Sequence, residues 1–395
     1  MASIRHFQTD IGAAGTNVPI RKKAHSGISP AGAARNAARD IGIGEGVLMA
    51  AYFASLSPLV LLGNIPAGIA QGLIWGIMAL GVYITFRLLD VADLTVDGTF
   101  TTGGAVAVML ILGGWNPWAA LLAALAAGLL AGLCTGLLHT ALGIPAILAG
   151  ILTQFALYSI NLAIMGFMAN KPVSVDKFPL ILSSRYVPTA ILVGVILAAA
   201  VIAVLYWFFG TEIGSAIRST GCNPEMSKAQ GININVMKVL GLALSNGLVA
   251  LAGGLMAQFQ GFADINMGRG SIVIGLAAVI IGEVLGEAVL GKKLNFAGRL
   301  AFVVVGGIIY YLVIILVLWL KLNSNMLKLF TAVVVAIFLA VPYLGASRRR
   351  LSARRGGCRR SAQQRATGQR RQNPGRRQTD DGRNDAGAQT YLQDL

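Results

Sequence analysis

The chain has 395 residues, of which 55% are hydrophobic and only 12% are charged, whereas soluble domains carry about 25% charged residues. Long apolar stretches recur along most of the sequence, which excludes a soluble enzyme, a secreted disulfide scaffold and a disordered protein. The three cysteines lie far apart without a CxxC spacing, so they indicate neither a disulfide framework nor a metal site.

The net charge of +16 belongs mainly to the two ends. Residues 347–395 contain 13 Arg and 4 Asp, and residues 1–48 contain six basic and three acidic residues. Neither end has enough apolar residues to bury a core. We therefore expect a disordered cytoplasmic tail at 347–395, and at 1–48 a basic extension that is disordered or not translated, with Met49 as an alternative start. A membrane domain remains at 49–346, and basic charge confined to the ends argues against a nucleic-acid partner.

The membrane domain contains nine apolar segments that reach or approach the length needed to cross about 30 Å of hydrocarbon. A tenth segment, 46–63, is doubtful because it is at the lower length limit. Abundant glycines permit close packing of membrane helices. The predicted fold is therefore an all-α polytopic membrane protein with about 8–10 transmembrane helices, some of them broken or re-entrant. The nine segments are 65–86, 99–113, 117–138, 144–168, 188–209, 237–258, 272–290, 300–320 and 327–345.

The Arg-rich tail sets the predicted orientation, because basic segments favour the cytoplasmic side of a membrane. Counting back from the tail, segment 327–345 runs from outside to inside, and residues 210–236 lie in the cytoplasm. The sequence thus predicts a multi-pass protein, surrounded by membrane lipid, with its C-terminus in the cytoplasm.

Polar residues interrupt the apolar pattern between the first two spans, in the sequence FRLLDVADLTVDGTF at 86–100. Ionisable groups at membrane depth usually face a cavity or a partner. Asp93 and Asp97 are therefore candidates for the translocation path. The alternative is that they are loop acids at the membrane surface, with Arg87 paired to Asp90 or Asp93.

Span 144–168 carries three polar residues on one helical face. They could line a path for a polar solute, or they could form hydrogen bonds between packed helices. They are Gln154, Tyr158 and Asn161.

A second polar break at 262–270 contains Asp264, a further candidate for the path. Its sequence ADINMGRG aligns with ADLTVDG at an offset of 171 residues. This weak internal symmetry is typical of transporters built from two related halves, although chance similarity in a chain rich in Gly, Ala and Leu would give the same alignment.

The longest polar connection of the membrane domain, 211–236, reads TEIGSAIRSTGCNPEMSKAQGININV. Asn223-Pro224 marks the start of a short helix, and Gly231 is a natural terminator. The run from 213 to 255 closely resembles the coupling region of ABC importer permeases of the branched-chain amino-acid and ribose type. The positions that match the family pattern are Gly214, Arg218, Gly221, Asn223, Ala229 and Gly231, whereas Ser227 stands where the family usually has alanine.

The resemblance covers roughly residues 65–345, and ADLTVDGTF at 92–100 is similar to the tryptophan/tyrosine-like subgroup. The family resemblance implies a permease subunit of an ATP-driven importer for a small polar solute of the amino-acid type, in a bacterial cytoplasmic (inner) membrane. It also implies that residues 211–236 bind in a groove of a cytoplasmic ATPase. Two ATPase subunits, an extracytoplasmic (periplasmic) solute-binding protein and a second permease copy would complete the importer.

The chain itself lacks a GxxxxGK[ST] phosphate loop, so we expect ATP and Mg²⁺ on the partner ATPase, no cofactor or metal in this chain, and no enzymatic activity of its own. The alternative function is an ion-gradient-driven secondary transporter, which would need a coupling-ion site but no docking loop.

Overall fold

A computed structural model of the protein describes residues 58–174, 180–291 and 295–319, together with Phe178 and the single positions 329, 333 and 336. The two basic ends lie outside the described residues. So do most of the predicted span 327–345 and residues 46–57 of the doubtful segment.

Within the described residues the chain forms ten α-helices, a π-helical turn at Ile84–Leu88 that extends the first helix, and two short strands. Strand β1 (Asn170–Pro172) pairs antiparallel with β2 (Phe262–Asp264). The helices are α1 Pro58–Tyr83, α2 Val96–Leu112, α3 Pro117–Thr140, α4 Ala146–Ile164, α5 Val187–Gly210, α6 Glu212–Cys222, α7 Pro224–Ala229, α8 Ile234–Gln260, α9 Ser271–Leu290 and α10 Phe296–Trp319.

Seven of these helices are long and apolar enough to cross a membrane, namely α1, α3, α4, α5, α8, α9 and α10. Helix α2 is also apolar but has only 17 residues. Each of the eight spans predicted between 65 and 320 corresponds to one of these helices. The structure confirms an all-α polytopic membrane protein.

Helix α8 lies at the centre of the bundle, with 78% of its most apolar stretch buried. It packs against α1, α2 and α3 through positions without side chains. A Cβ on Gly103 of α2 would overlap the Ala250 carbonyl of α8, and a Cβ on Gly253 of α8 would overlap the Phe100 carbonyl of α2. The backbones therefore touch, as small residues at membrane helix interfaces allow.

The packing of α1 fixes the direction of the long helices. Gly68 of α1 faces Ile315 near the end of α10, whereas Gly76 faces Val304 near its beginning, so these helices are antiparallel. Helix α10 starts beside α6, where Arg218 lies over the ring of Phe296. We name this end of the bundle the α6–α7 end, and the end that carries β1 and β2 the strand end.

The two polar breaks open at opposite ends of the bundle. Helix α1 and its π-helical turn run towards the α6–α7 end, where the Leu88 carbonyl meets Gly221 of α6. Helix α8 runs to the strand end and continues into β2. After each break the chain turns back into the bundle and starts a new helix, α2 or α9. The two halves of the membrane domain, one containing α1 and α2 and the other containing α8 and α9, thus have inverted topology. This is a recurring plan of transporters.

The predicted loop 211–236 contains more helix than its sequence indicated. The short helix after Asn223 is present as α7, but α6 precedes it with 11 residues. Thr211 caps α6 by accepting a hydrogen bond from the Gly214 N–H at 3.3 Å. The connection between α5 and α8 is therefore a folded pair of helices.

Replacement of Gly253 by Val should disrupt the bundle. The branched side chain has no space between α8 and α2, and such overpacking against backbone should cost about 3 kcal/mol, the upper end of the usual range. We expect a severalfold loss of monodisperse protein and a lower unfolding temperature in detergent. The matched control is Gly63→Val in α1, because no atom lies within 4 Å of a Cβ at that position. Equal stability of the two variants would show that the α2–α8 contact is not tight.

Candidate functional site

Helices α6 and α7 are held against the bundle by two of the predicted coupling glycines. A Cβ on Gly214 would overlap the backbone of Phe208 in α5, and a Cβ on Gly221 would overlap the Leu88 carbonyl at the end of the π-helical turn. Gly221 therefore places α6 in direct backbone contact with the segment that leads into the first break.

Asn223 and Gly231 define the two ends of α7. The Asn223 side chain accepts a hydrogen bond from the Met226 N–H at 3.1 Å, as an N-cap residue does. Gly231 has a φ of +81° and no atom within 4 Å of a Cβ. The left-handed conformation that the sequence predicted for Gly231 is confirmed, and it turns the chain from α7 towards α8.

An exposed surface surrounds α7, on which Met226 is 59% exposed between an acidic and a basic side chain. Ser227 is the one buried residue of the helix, and its hydroxyl donates to the Asn223 carbonyl at 3.0 Å. This surface, which includes the predicted residues Asn223 and Ala229, has the mixed apolar and charged character of a protein contact. We call it the α7 surface; it consists of Asn223, Pro224, Glu225, Met226, Lys228, Ala229 and Gln230.

Arg218 points elsewhere. Its guanidinium lies 5.3 Å from the centroid of the Phe296 ring in α10, within the range of a cation–π contact. Among the six predicted coupling residues, Asn223 and Ala229 lie on the α7 surface, and Gly214, Gly221, Gly231 and Arg218 position the two helices.

Asp93 lies in the first break and is 4% exposed. One carboxylate oxygen accepts from the Thr95 N–H at 2.9 Å, and the other accepts from the side-chain amide of Asn246 at 2.7 Å. Asn246 is in the middle of α8 and also accepts from the Thr99 hydroxyl at 2.8 Å. The hydroxyls of Thr95 and Thr135 lie 2.9 Å apart. A buried polar network thus joins the first break to α2, α3 and α8.

Asp97, in the first turn of α2, caps helix α9 of the other half. Its carboxylate accepts three hydrogen bonds at 2.9–3.0 Å, from the backbone N–H groups of Gly270 and Ile272 and from the Ser271 hydroxyl. A carboxylate at this place satisfies free N–H groups and interacts favourably with the helix dipole. Asp97 therefore connects the two broken halves.

Asp264 repeats the local geometry of Asp93 at the strand end. It accepts from the Asn266 N–H at 2.8 Å, as Asp93 does from Thr95, and both pairs are related by the offset of 171 residues. Its other oxygen lies 3.4 Å from the Asn170 side-chain nitrogen. The repeated Asx turn supports the alignment of the two breaks.

The three candidate residues of α4 do not share one environment. Asn161 is buried and donates to the Gly98 carbonyl of α2 at 3.3 Å. Tyr158 is 49% exposed on the outside of the bundle, and Gln154 is half-buried. Asn161 thus forms a contact between helices, whereas Tyr158 and Gln154 keep part of their surface outside the helix contacts.

The alternative in which Arg87 pairs with Asp90 or Asp93 is wrong. Arg87 forms an ion pair with Glu283 of α9, with 2.8 Å between nitrogen and oxygen. Sequence reasoning also missed Asn246, Thr99 and Thr135. Asn246 stands next to a serine in an otherwise apolar run, and a polar amide at the centre of a span is a signal of a buried partner.

These features define a polytopic transport protein built from two halves of inverted topology. Each half contains one polar break, and a pair of surface helices lies at one end of the bundle. Residues 64–342 match the family described as "Branched-chain amino acid transport system / permease component", and the chain belongs to this family.

Curated relatives agree with the family. The chain is 39% identical over 284 residues to the "Tyrosine transport system permease protein" of Clostridioides difficile (strain R20291), covering 72% of this chain and 93% of the relative. It is 31% identical over 148 residues to the "Nucleoside ABC transporter permease protein NupC" of Lactococcus lactis subsp. cremoris (strain MG1363), covering 36% of this chain and 44% of the relative. No solved structure matches the chain.

Asp97→Asn should weaken the link between α2 and α9, because an amide presents only one acceptor oxygen and no negative charge to the helix N-terminus. Loss of one charge-assisted hydrogen bond should cost about 1.5–3 kcal/mol, visible as a lower unfolding temperature and reduced uptake. Asp90→Asn is the isosteric control: Asp90 is exposed with a φ of +53°, a conformation that asparagine tolerates. Equal effects at both positions would contradict the capping role.

Proposed function

We propose that this chain is the membrane-spanning subunit of an ATP-binding-cassette importer that translocates a small polar solute of the amino-acid class. The observation that carries the proposal is the α6–α7 pair, which presents an exposed surface at one end of the bundle and touches the first break through Gly221. Family membership supports it. ATP and Mg²⁺ would bind to the partner ATPase.

The α7 surface is the proposed contact with the ATPase. Movement of α7 would pass to α6 through Asn223, which ends one helix and caps the other. From α6 it would reach Leu88 by the backbone contact at Gly221. Because Asp93 and Asp97 form hydrogen bonds from the first break to α8 and to the start of α9, a movement that reaches Leu88 would move both halves together.

In this proposal the translocation path runs along the accessible side of α4, with Gln154 and Tyr158 facing the solute and a second permease copy across it. Asn161, Asp93 and Asp97 would support the wall of the path, since their side chains are engaged within the chain. Asp264 would lie near the entrance, where a solute-binding protein docks at the strand end.

The proposed orientation places the α6–α7 end in the cytoplasm. Helix α10 starts at that end and leads away from it, and one further crossing by the predicted span 327–345 would return the Arg-rich tail to the same side. This agrees with the preference of basic segments for the cytoplasm.

A reconstitution experiment tests the function and the substrate class together. The permease, its cognate ATPase and its binding protein would be incorporated into proteoliposomes, and uptake of labelled tyrosine and of a labelled nucleoside would be compared. We expect tyrosine uptake that requires internal ATP and is unaffected by ionophores. Uptake that follows an ion gradient without ATP would instead support a secondary transporter, whose broken helices are similar. Nucleoside uptake alone would contradict the amino-acid class.

Gly231→Val should preserve membrane insertion but weaken ATPase association, because a β-branched residue resists the left-handed conformation that ends α7. We expect a severalfold loss of ATPase in co-purification. Gly63→Val again serves as control, since a Cβ on Gly63 would also have no atom within 4 Å, but Gly63 has no positive φ. Normal co-purification by the Gly231 variant would reject the proposed role of the α7 geometry.

A further inference from the structure

A cleft of about 680 Å³ opens where α5 ends and α10 begins. Two aromatic side chains at the end of α5, Tyr206 and Trp207, are 56% and 71% exposed there. Arg218 and Asn295 supply polar groups. The cleft lies beside α6 and not on the α7 surface, so the proposed ATPase contact does not use it.

Among the residues that the structure describes, one charged side chain, the basic Arg218, lines the cleft. Arg218 is exposed and packs over Phe296, so its stacked guanidinium is oriented while its N–H groups stay available. Glu212, the nearest acid in sequence, is exposed but does not line the cleft. An anion that offers two neighbouring oxygen acceptors, such as a phosphate group, matches the planar guanidinium.

An apolar surface continues directly from this charged cleft. Helix α5 has only 22% of its most apolar stretch buried within the chain, and Leu192, Ile196 and Val204 are each about 60% exposed along it. With 24 residues the helix is about 36 Å long, enough to cover the hydrocarbon of a bilayer. A ligand that fits both parts has a phosphate head and a long apolar tail.

We propose that the cleft binds the headgroup of an anionic phospholipid in the leaflet at the α6–α7 end. The phosphate lies against Arg218. Tyr206 and Trp207 surround the headgroup at the level of the membrane interface, and the acyl chains follow α5. Basic pockets between membrane helices bind anionic headgroups in this way, and exposed tyrosine and tryptophan favour the interface. By contacting α6, the lipid would help to hold the coupling helices against the bundle.

The test uses the full-length protein in nanodiscs that contain equal amounts of phosphatidylglycerol and phosphatidylcholine, followed by native mass spectrometry. We expect wild type to retain phosphatidylglycerol preferentially. Arg218→Gln should lower this preference about fivefold, the effect of one basic residue near a membrane surface, whereas Arg218→Lys should retain most of it. The control Arg269→Gln removes an exposed arginine at the strand end and should change nothing.

Three outcomes would overturn the proposal. Equal retention by wild type and Arg218→Gln would show that Arg218 binds no headgroup. Complete displacement of the lipid by excess inorganic phosphate would identify a free phosphate site without a role for the acyl chains. A disulfide between two copies carrying Trp207→Cys, absent from wild type, would show that a second copy covers the cleft. The lipid measurement requires no ATPase, so it stands or fails separately from the proposed importer function.

Discussion

The structure depends on how the backbone polar groups of two chain breaks are satisfied inside an apolar bundle. Water is scarce at this depth, and an N–H group without an acceptor costs several kcal/mol. Asp93 supplies an acceptor within the first break, and Asp97 supplies acceptors to the start of α9 in the second half. Because Asp97 belongs to α2, its hydrogen bonds connect the end of the first break directly to the start of α9 after the second break.

The hydrogen bonds of Asp93 and Asp97 offer a physical basis for the proposed coupling. The α6–α7 pair touches the chain at Leu88, immediately before the first break. On one side of the contact lies the exposed α7 surface, and on the other lies the network of Asp93 and Asn246. Close-packed backbones at Gly103 and Gly253 leave little room for local adjustment, so displacement of α6 should move whole helices.

Some of this arrangement was readable from the sequence. Spans such as 117–138 and 188–209 fall within one or two residues of α3 and α5 because long apolar runs report membrane helices directly. The turn at Gly231 was readable because glycine after a short polar helix favours a left-handed terminus. Helix α6 was missed because only four of its 11 residues are hydrophobic, so it carries no span signal.

The sequence by itself determined the class of protein and the positions of the spans, since both follow from local composition or a contiguous motif. Only the tertiary structure decided the partners of the polar residues: Asp93 with Asn246, Asp97 with the start of α9, and Arg87 with Glu283. These partners lie far apart along the chain. Which of them meet depends on how the helices pack, and many pairings of acids with donors satisfy the same local pattern.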